Sequence, residues 1–162
     1  MDAKLSITLS RVLQSYVRQE FKSPIGAVKL SLSHPIGAQV YSLVRYCDFP
    51  QKRQKNSEKE TIDFLLPSTN LSSFSYHFVT VTAEGERKIQ LFIQSEFQLA
   101  MRMYFVTGYE KGFSQKNIIN TFIERYELPD NAISYEAIKK ADYRNRTRII
   151  KDIMQEIESC IG

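Results

Sequence analysis

The sequence predicts an α+β fold, with strand–helix units in the N-terminal half and helices in the C-terminal half. Up to residue 82, stretches with alternating apolar and polar residues are interleaved with stretches at helical spacing. From residue 83 onward only helical spacing remains. At 162 residues, the chain suits one domain or two small units that share a core. We therefore expect an α/β portion over 1–82 and a helical portion over 83–162, packed together as one compact unit.

Two strand–helix units open the chain. In the first, alternation over 4–9 predicts a strand, and apolar spacing predicts a helix over 11–21 that follows a capping serine. In the second, alternation over 27–32 predicts a strand, and Ser33 is expected to cap a helix from Pro35 to about Cys47. The two strands could be parallel across the intervening helix or could form an antiparallel pair.

A β-hairpin is expected next. Thr61–Leu66 has a strand pattern that Pro67 stops, and Phe74–Thr82 has the strongest strand pattern in the chain. About seven residues separate the two strands, a length that suits a hairpin connection. The polar stretch Asp48–Glu60 is expected to be a solvated loop, and His77 is given no functional role.

The C-terminal half is predicted to be helical throughout. Glu86–Gly108 has apolar residues at spacings of three and four, as in a long amphipathic helix. Ser114 is expected to cap the next helix, which ends before a turn at Pro129–Asn131. Ser134 is expected to cap a third helix that starts one residue later, and residues 146–161 are expected to form a last one.

The two short capped helices on either side of the Pro129–Asn131 turn fit a helix-turn-helix. In that motif the second helix lies in the major groove and its N-terminal residues meet base edges. Ser134, Tyr135 and Glu136 would then lie nearest the bases. An ordinary helical hairpin is the alternative, because such pairs are common in bundles and the turn over 128–133 is longer than the tightest form of the motif.

Charge adds a more discriminating observation. The chain has a formal net charge of +4 and a pI of about 9.0. Ile138–Lys151 contains six cations and one anion, Asp142, so this segment carries +5 and the rest of the chain carries −1. Clustered Lys and Arg with so little neutralisation are typical of phosphate contact. Neighbouring tyrosines could bond phosphates or stack, and an asparagine could pair with adenine. The residues expected to bind nucleic acid are Ser134, Tyr135, Lys139, Lys140, Tyr143, Arg144, Asn145, Arg146, Arg148 and Lys151.

Two stretches carry a resemblance to known proteins: PIGAQVYSLVR (35–45) and IINTFIERYELPDNAISYEAIKKADYR (118–144). With the strand–helix layout before them, they resemble small uncharacterised helix-turn-helix-containing proteins of bacterial phages and integrated mobile elements. The second stretch is similar to helix-turn-helix segments of regulators in that setting. The resemblance implies DNA binding, and its specificity lies in the last third of the chain.

Catalysis, cofactors and metals are not expected. The sequence has no phosphate-binding glycine loop, no nucleophile elbow and no zinc-protease motif. Its acids do not cluster as a metal-dependent nuclease requires, and its two histidines have no ligands at metal-binding spacing. The chain also has no signal-peptide core and no apolar run of membrane-spanning length. Because Cys47 and Cys160 are isolated, we expect free thiols and a cytoplasmic location.

Two other functions stay open as alternatives. The regular isoleucines over 146–161 could close the core, or they could form the seam of a homodimer. A dimer seam would suit a non-enzymatic protein-interaction or structural component of a phage or mobile element. In the other alternative, the basic segment binds RNA instead of DNA.

Overall fold

The computed structural model describes residues 2–49, 60–68 and 78–161. They form an α+β fold, as predicted, with the strands in the N-terminal part and a mostly helical C-terminal half. The chain divides into two compact units, Met1–Phe97 and Gln98–Gly162, and the division falls inside a long helix. In chain order the described elements are β1 (Ala3–Thr8), α1 (Arg11–Glu20), β2 (Val28–Lys29), α2 (Pro35–Leu43), β3 (Arg45–Cys47), β4 (Thr61–Leu66), β5 (Phe78–Thr80), α3 (Ala83–Glu110), α4 (Gln115–Tyr126) and α5 (Asn131–Ile161).

β4 is the central strand of a three-stranded sheet with the order β1-β4-β2. It runs antiparallel to β1, from Ala3 opposite Leu66 to Thr8 opposite Thr61, and parallel to β2. Because successive side chains of a strand point to opposite faces, the alternating apolar residues collect on one face of the sheet. The buried apolar residues of these strands are Ala3, Leu5, Ile7, Val28, Ile62, Phe64 and Leu66.

The predicted hairpin between 61–66 and 74–82 is wrong. β4 pairs with β1 and β2, whereas β5 pairs antiparallel with β3. The reason is a long-range match that local spacing does not reveal. β1 has the same apolar alternation as β4, and its Lys4 ammonium lies 3.3 Å from the Asp63 carboxylate. Pairing with a complementary distant strand therefore replaces pairing with the nearest one along the chain.

Two parts of the sequence-based prediction fall outside the described residues. They are residues 50–59 of the polar loop and residues 74–77 of the predicted strand, which include His77. The described remainder of that strand is β5, and it ends two residues before Thr82. The first strand–helix unit agrees with its prediction, because Ser10 caps α1 by accepting the Leu13 amide.

The second strand–helix unit differs from its prediction. β2 is only two residues long. His34 and not Ser33 caps α2, because the His34 Nδ1 accepts the Ile36 amide at 3.1 Å. α2 ends before Cys47 because β3, which includes Cys47, forms backbone hydrogen bonds with β5 instead of continuing the helix.

The first turn of α2 lies very close to the backbone that precedes it. A Cβ atom added at Gly37 would lie 1.9 Å from the Ser31 carbonyl oxygen. Gly37 is also buried, so a side chain there has no outward path. The close approach of α2 to residue 31 therefore depends on glycine at position 37.

The helices of the second unit pack through a compact apolar core. Ser114 caps α4 as predicted, because its Oγ accepts a backbone N–H of the first turn. The Tyr104 and Phe122 rings meet edge-on with their centroids 5.4 Å apart. A Cβ atom at Gly108 would lie 2.6 Å from Ile118, so α3 and α4 approach closely at this glycine. The buried apolar residues here are Met101, Phe105, Ile118, Ile119, Phe122, Ile123, Tyr126, Leu128 and Ile138.

α5 is a single helix of 31 residues. The prediction of two helices, one starting at Tyr135 and one over 146–161, is therefore wrong. The helix starts at Asn131, directly after Asp130, which adopts a left-handed conformation with φ of 51°. From Asn131 to Ile161 there is no glycine or proline to interrupt it, so the helix continues.

Candidate nucleic-acid interface

Residues 127–130 form the turn that joins α4 to α5. Glu127 adopts a left-handed conformation with φ of 49°, and its amide caps α4. The amide of the next residue, Leu128, donates to the Ile123 carbonyl at 3.0 Å, and such bonds close the end of a helix. Leu128 is also buried. α5 therefore follows α4 through a well-bonded turn, in the position of the second helix of the predicted helix-turn-helix.

Ser134 is not available for the role that its sequence position predicts. It is 7% exposed, and its hydroxyl donates to the Pro129 carbonyl oxygen at 2.6 Å. Because α5 begins at Asn131, Ser134 is not a helix cap either. Its neighbour Tyr135 is half-buried, whereas Glu136 is exposed. Of the three predicted base-edge residues, only Glu136 projects into solvent.

A buried carboxylate, Asp142, connects three helices. Asp142 is 4% exposed. Its Oδ2 accepts the Tyr109 hydroxyl of α3 at 2.8 Å and the Gln115 amide of α4 at 2.8 Å. On α5 itself, the Arg146 guanidinium lies 2.6 Å from the same oxygen. Burial raises the pKa of Asp142 above its ordinary value, while the hydrogen bond from Gln115 acts in the opposite direction. This group of residues, the Asp142 cluster, fixes α5 against α3 and α4.

Arg146 belongs to the Asp142 cluster, although its charge predicted a phosphate contact. Its guanidinium donates to the Tyr109 hydroxyl, and it lies over the rings of Tyr109 and Tyr143, at 4.6 Å and 5.6 Å from their centroids. These contacts hold the Arg146 side chain against the protein. The i,i+4 spacing of Asp142 and Arg146 is compatible with such a pair, but Arg148 and Asp152 have the same spacing, so the sequence does not single out Arg146.

Four of the six cations lie on one side of α5 and form what we call the basic stripe. At 100° per residue, these four fall within about 80° of one another around the helix. All four are exposed. Among the described residues, none of them has a carboxylate within ion-pair distance. The basic stripe consists of Lys140, Arg144, Arg148 and Lys151.

The other predicted contacts lie away from the basic stripe. Lys139 and Arg146 lie about 150° around the helix from its centre, and Lys139 is half-buried. Asn145 is half-buried on the packed side, next to the turn that contains Asp142. Tyr143 is 51% exposed, but the Arg146 guanidinium covers one face of its ring. Of the sequence-predicted site residues, the four of the basic stripe therefore face solvent. The other predicted cations and Asn145 lie on other sides of α5.

Two residues that the sequence did not single out continue the line of the basic stripe. Ile133 is 72% exposed, and Ala137 is also exposed. They precede Lys140 by seven and three residues, so they lie on the same side of α5. An apolar patch at the first turn thus adjoins four cations. The sequence signal for this patch is the helical spacing of Ile133 and Ala137 from Lys140. That spacing can be recognised only once the helix is known to start at Asn131.

Comparison with known proteins gives no family assignment, because no family model, no curated protein and no solved structure matches the chain. The described residues contain no group of three His, Cys, Asp or Glu side chains that could hold a metal ion. Among the helices of the described ranges, none is long and apolar enough to cross a membrane.

Proposed function

We propose that the protein binds duplex DNA through the basic stripe on α5. The observation that carries the proposal is the grouping of four exposed cations on one side of a helix. Within the described part of the chain, no carboxylate lies within ion-pair distance of any of them. Their charge is therefore available to replace the counterions that surround a phosphate backbone.

The length of the basic stripe suits a nucleic-acid strand. From Lys140 to Lys151 it extends about 16 Å, at 1.5 Å per helical residue. Phosphates of one DNA strand recur about every 3.4 Å along the duplex axis. The stripe therefore extends over about five base-pair steps of the duplex axis, a length over which four cations can meet phosphates.

The packing of α5 supports this role. The Asp142 cluster and buried Ile138 fix the helix through side chains that point away from the basic stripe. The backbone that presents Lys140 and Arg144 is thus already ordered before DNA arrives. Preorganisation lowers the entropic cost of binding, because only side chains have to be immobilised.

Ile133 and Ala137 are the residues that we propose to approach base edges. They occupy the first turns of the second helix of the pair, which is the part of a helix-turn-helix that enters the major groove. Exposed apolar side chains in that position can contact the methyl group of thymine. The regulatory part of the proposal rests on the resemblance of 118–144 to helix-turn-helix segments of phage and mobile-element regulators. A cytoplasmic location belongs to the same proposal, because Cys47 and Cys160 are free and the reducing cytosol keeps thiols free.

The proposal is tested by removing the charge of the basic stripe. The variant replaces Lys140, Arg144, Arg148 and Lys151 with alanine, and its affinity for a mixed-sequence duplex is measured by fluorescence anisotropy at low salt. We expect the dissociation constant to rise about 100-fold, because four phosphate contacts are lost. All four side chains are exposed, so the circular dichroism spectrum should stay unchanged.

A matched control removes the same charge elsewhere. Lys29, Arg87, Arg102 and Lys116 are exposed, and they also comprise two lysines and two arginines. Replacing these four with alanine should change the affinity less than about threefold, through the net charge alone. Equal losses in both variants, or a wild-type protein that binds no duplex, would refute the proposal. Tighter binding to A-form RNA than to the DNA duplex would favour the RNA alternative.

A further inference from the structure

A groove runs along the second unit between α3 and α4. Its volume of about 660 Å³ lies in the range of about 300–1,000 Å³ that is typical of small-molecule sites. α3 and α4 run antiparallel beside it, because Gly108 lies against Ile118 and the Tyr104 ring meets the Phe122 ring. The groove thus has the size and the apolar wall of a small-molecule site. The apolar residues that line it are Ala100, Met103, Tyr104, Phe113, Ile118 and Tyr126.

The groove is long enough for a straight hydrocarbon chain. Its lining on α3 reaches from Ala100 to Lys111, a length of about 16 Å at 1.5 Å per helical residue. A fully extended covalent chain advances about 1.2 Å per bond, so about twelve to fourteen carbon atoms span this length. Halfway along α4, the Thr121 hydroxyl donates to the Asn117 carbonyl at 2.7 Å. An alkyl chain can therefore lie across the middle of the groove without burying an unbonded hydroxyl.

One end of the groove offers a positive charge to a ligand. Of the described residues that line the groove, none is Asp or Glu, and two are cations. Lys111, at the end where α3 turns into α4, has no carboxylate within ion-pair distance in the described part of the chain. Arg125, at the opposite end, has its guanidinium carbon 5.6 Å from the centroid of the Tyr126 ring. The Lys111 ammonium is therefore the group to which we assign an anion, and the Asn117 amide at the same end can donate a further hydrogen bond.

We propose that the groove binds a straight-chain fatty acid of about twelve carbon atoms. The carboxylate lies beside Lys111 and Asn117, whose N–H groups donate to it. The alkyl chain extends along the helix pair towards Ala100. It covers Met103 and Phe113, which are 58% and 54% exposed, and so removes apolar surface from water. A fatty acid suits the site better than a free phosphate ion, because the wall beyond Lys111 is largely apolar.

The groove lies away from the helix that carries the basic stripe. Among the described residues, none of α5 lines the groove. Tyr109, which bonds Asp142 on α5, lies about 180° around α3 from the line through Thr107 and Lys111. The groove therefore opens on the side of α3 that faces away from α5. Fatty-acid binding does not depend on DNA binding, and it is tested in the absence of nucleic acid.

The first test measures how affinity depends on chain length. The full chain is titrated calorimetrically with sodium dodecanoate, octanoate and hexadecanoate, each below the concentration at which it forms micelles. Octanoate should bind about fourfold more weakly than dodecanoate for each methylene group that it lacks. Hexadecanoate should gain little over dodecanoate, because its extra carbons extend beyond the groove. The proposal is overturned if dodecanoate does not bind at high micromolar concentration, or if affinity keeps rising about fourfold per methylene up to hexadecanoate.

The second test locates the carboxylate. Lys111→Gln should raise the dissociation constant for dodecanoate about fivefold, because an exposed ion pair is lost. The matched control is Lys116→Gln, since Lys116 is also exposed but does not line the groove. This control should change the dissociation constant less than about twofold, through net charge alone. Equal effects of the two variants would overturn the assignment of the carboxylate to Lys111.

The third test fills the groove. Thr121 lines its middle, so the indole of Thr121→Trp should occupy the space of the alkyl chain and raise the dissociation constant for dodecanoate at least about tenfold. The matched control is Asn120→Trp, which adds the same side chain one residue earlier, outside the lining of the groove. Both positions are exposed, so both variants should keep the circular dichroism spectrum of the wild type. Unchanged binding by Thr121→Trp, or equal losses in the two variants, would show that dodecanoate binds elsewhere and would overturn the proposal.

Discussion

Arg146 and Arg148 provide the sharpest test of how α5 divides its charges. They are two residues apart on one helix, and sequence alone predicts the same phosphate-binding role for both. In the structure, Arg146 is bonded to Asp142 and covers Tyr109, whereas Arg148 belongs to the basic stripe. We therefore expect Arg146→Ala to lower the stability of the fold without changing DNA binding. Arg148→Ala should weaken DNA binding without changing stability.

The magnitude for Arg146→Ala follows from its contacts. A hydrogen bond to a charged group contributes about 1.5–3 kcal/mol, and the stacking on Tyr109 contributes about 0.5–1 kcal/mol. Because the Arg146 side chain is 43% exposed, solvent screening places the total at the lower end of these ranges, about 2 kcal/mol. Arg148→Ala removes an exposed side chain without an ion-pair partner among the described residues, so the unfolding free energy should change by less than about 0.5 kcal/mol.

The assay combines urea unfolding with a DNA titration over a range of salt concentrations. Arg148→Ala should reduce the slope of log affinity against log salt by about 0.9, the value for one lost phosphate contact. Arg146→Ala should leave that slope unchanged at a temperature where the variant is folded. If Arg146→Ala reduces the slope and leaves stability intact, the assignment of Arg146 to the Asp142 cluster is refuted.

Three further predictions concern buried groups. Ser134→Ala should lower the unfolding free energy by about 1 kcal/mol, because the Pro129 carbonyl loses its hydrogen bond. The same variant should bind DNA with unchanged affinity. A drop in affinity in the anisotropy titration would show that Ser134 does contact DNA. Because the folded-state pKa of Asp142 is raised above its ordinary 3.8, the folded state binds the proton more tightly than the unfolded chain does. We compare the unfolding free energies of the wild type and of Asp142→Asn by urea titration at several pH values. The difference, wild type minus variant, should fall as the pH rises from 3.8 through the raised pKa. A difference that rises with pH would contradict the burial argument. Gly37→Ala should destabilise the protein by about 2 kcal/mol or more, because the added methyl group overlaps a backbone oxygen, and an unchanged thermal midpoint would show that α2 can move away from residue 31.

The features that sequence predicted well are local ones. Ser10 and Ser114 cap the helices that follow them, because a cap depends only on the side chain and the next few residues. Strands β1 and β4 were also predicted, since alternation is a property of each segment alone. Strand partners were not, because the pairing of β4 with β1 depends on residues almost sixty positions apart. No local pattern distinguishes that pairing from a hairpin.

In the candidate site, too, local features could be predicted from the sequence and long-range contacts could not. The count of cations between Ile138 and Lys151 points to α5, since charge can be summed without knowing the fold. Which cations point outward depends on where α5 starts and on what anchors it. The anchor is Asp142, whose partners Tyr109 and Gln115 come from two other helices. Because those contacts are long-range, sequence alone could not separate Arg146 from Arg148.

The salt dependence of duplex affinity tests the central claim most directly. If the four cations of the basic stripe each contact one phosphate, log affinity should fall with log salt at a slope of about 3.6 per bound chain, which is 0.9 for each contact. The variant that lacks the charges of Lys140, Arg144, Arg148 and Lys151 should lose most of this slope, while the control variant at Lys29, Arg87, Arg102 and Lys116 should keep it. A wild-type slope near zero, or the same slope in both variants, would contradict the assignment of DNA binding to the basic stripe.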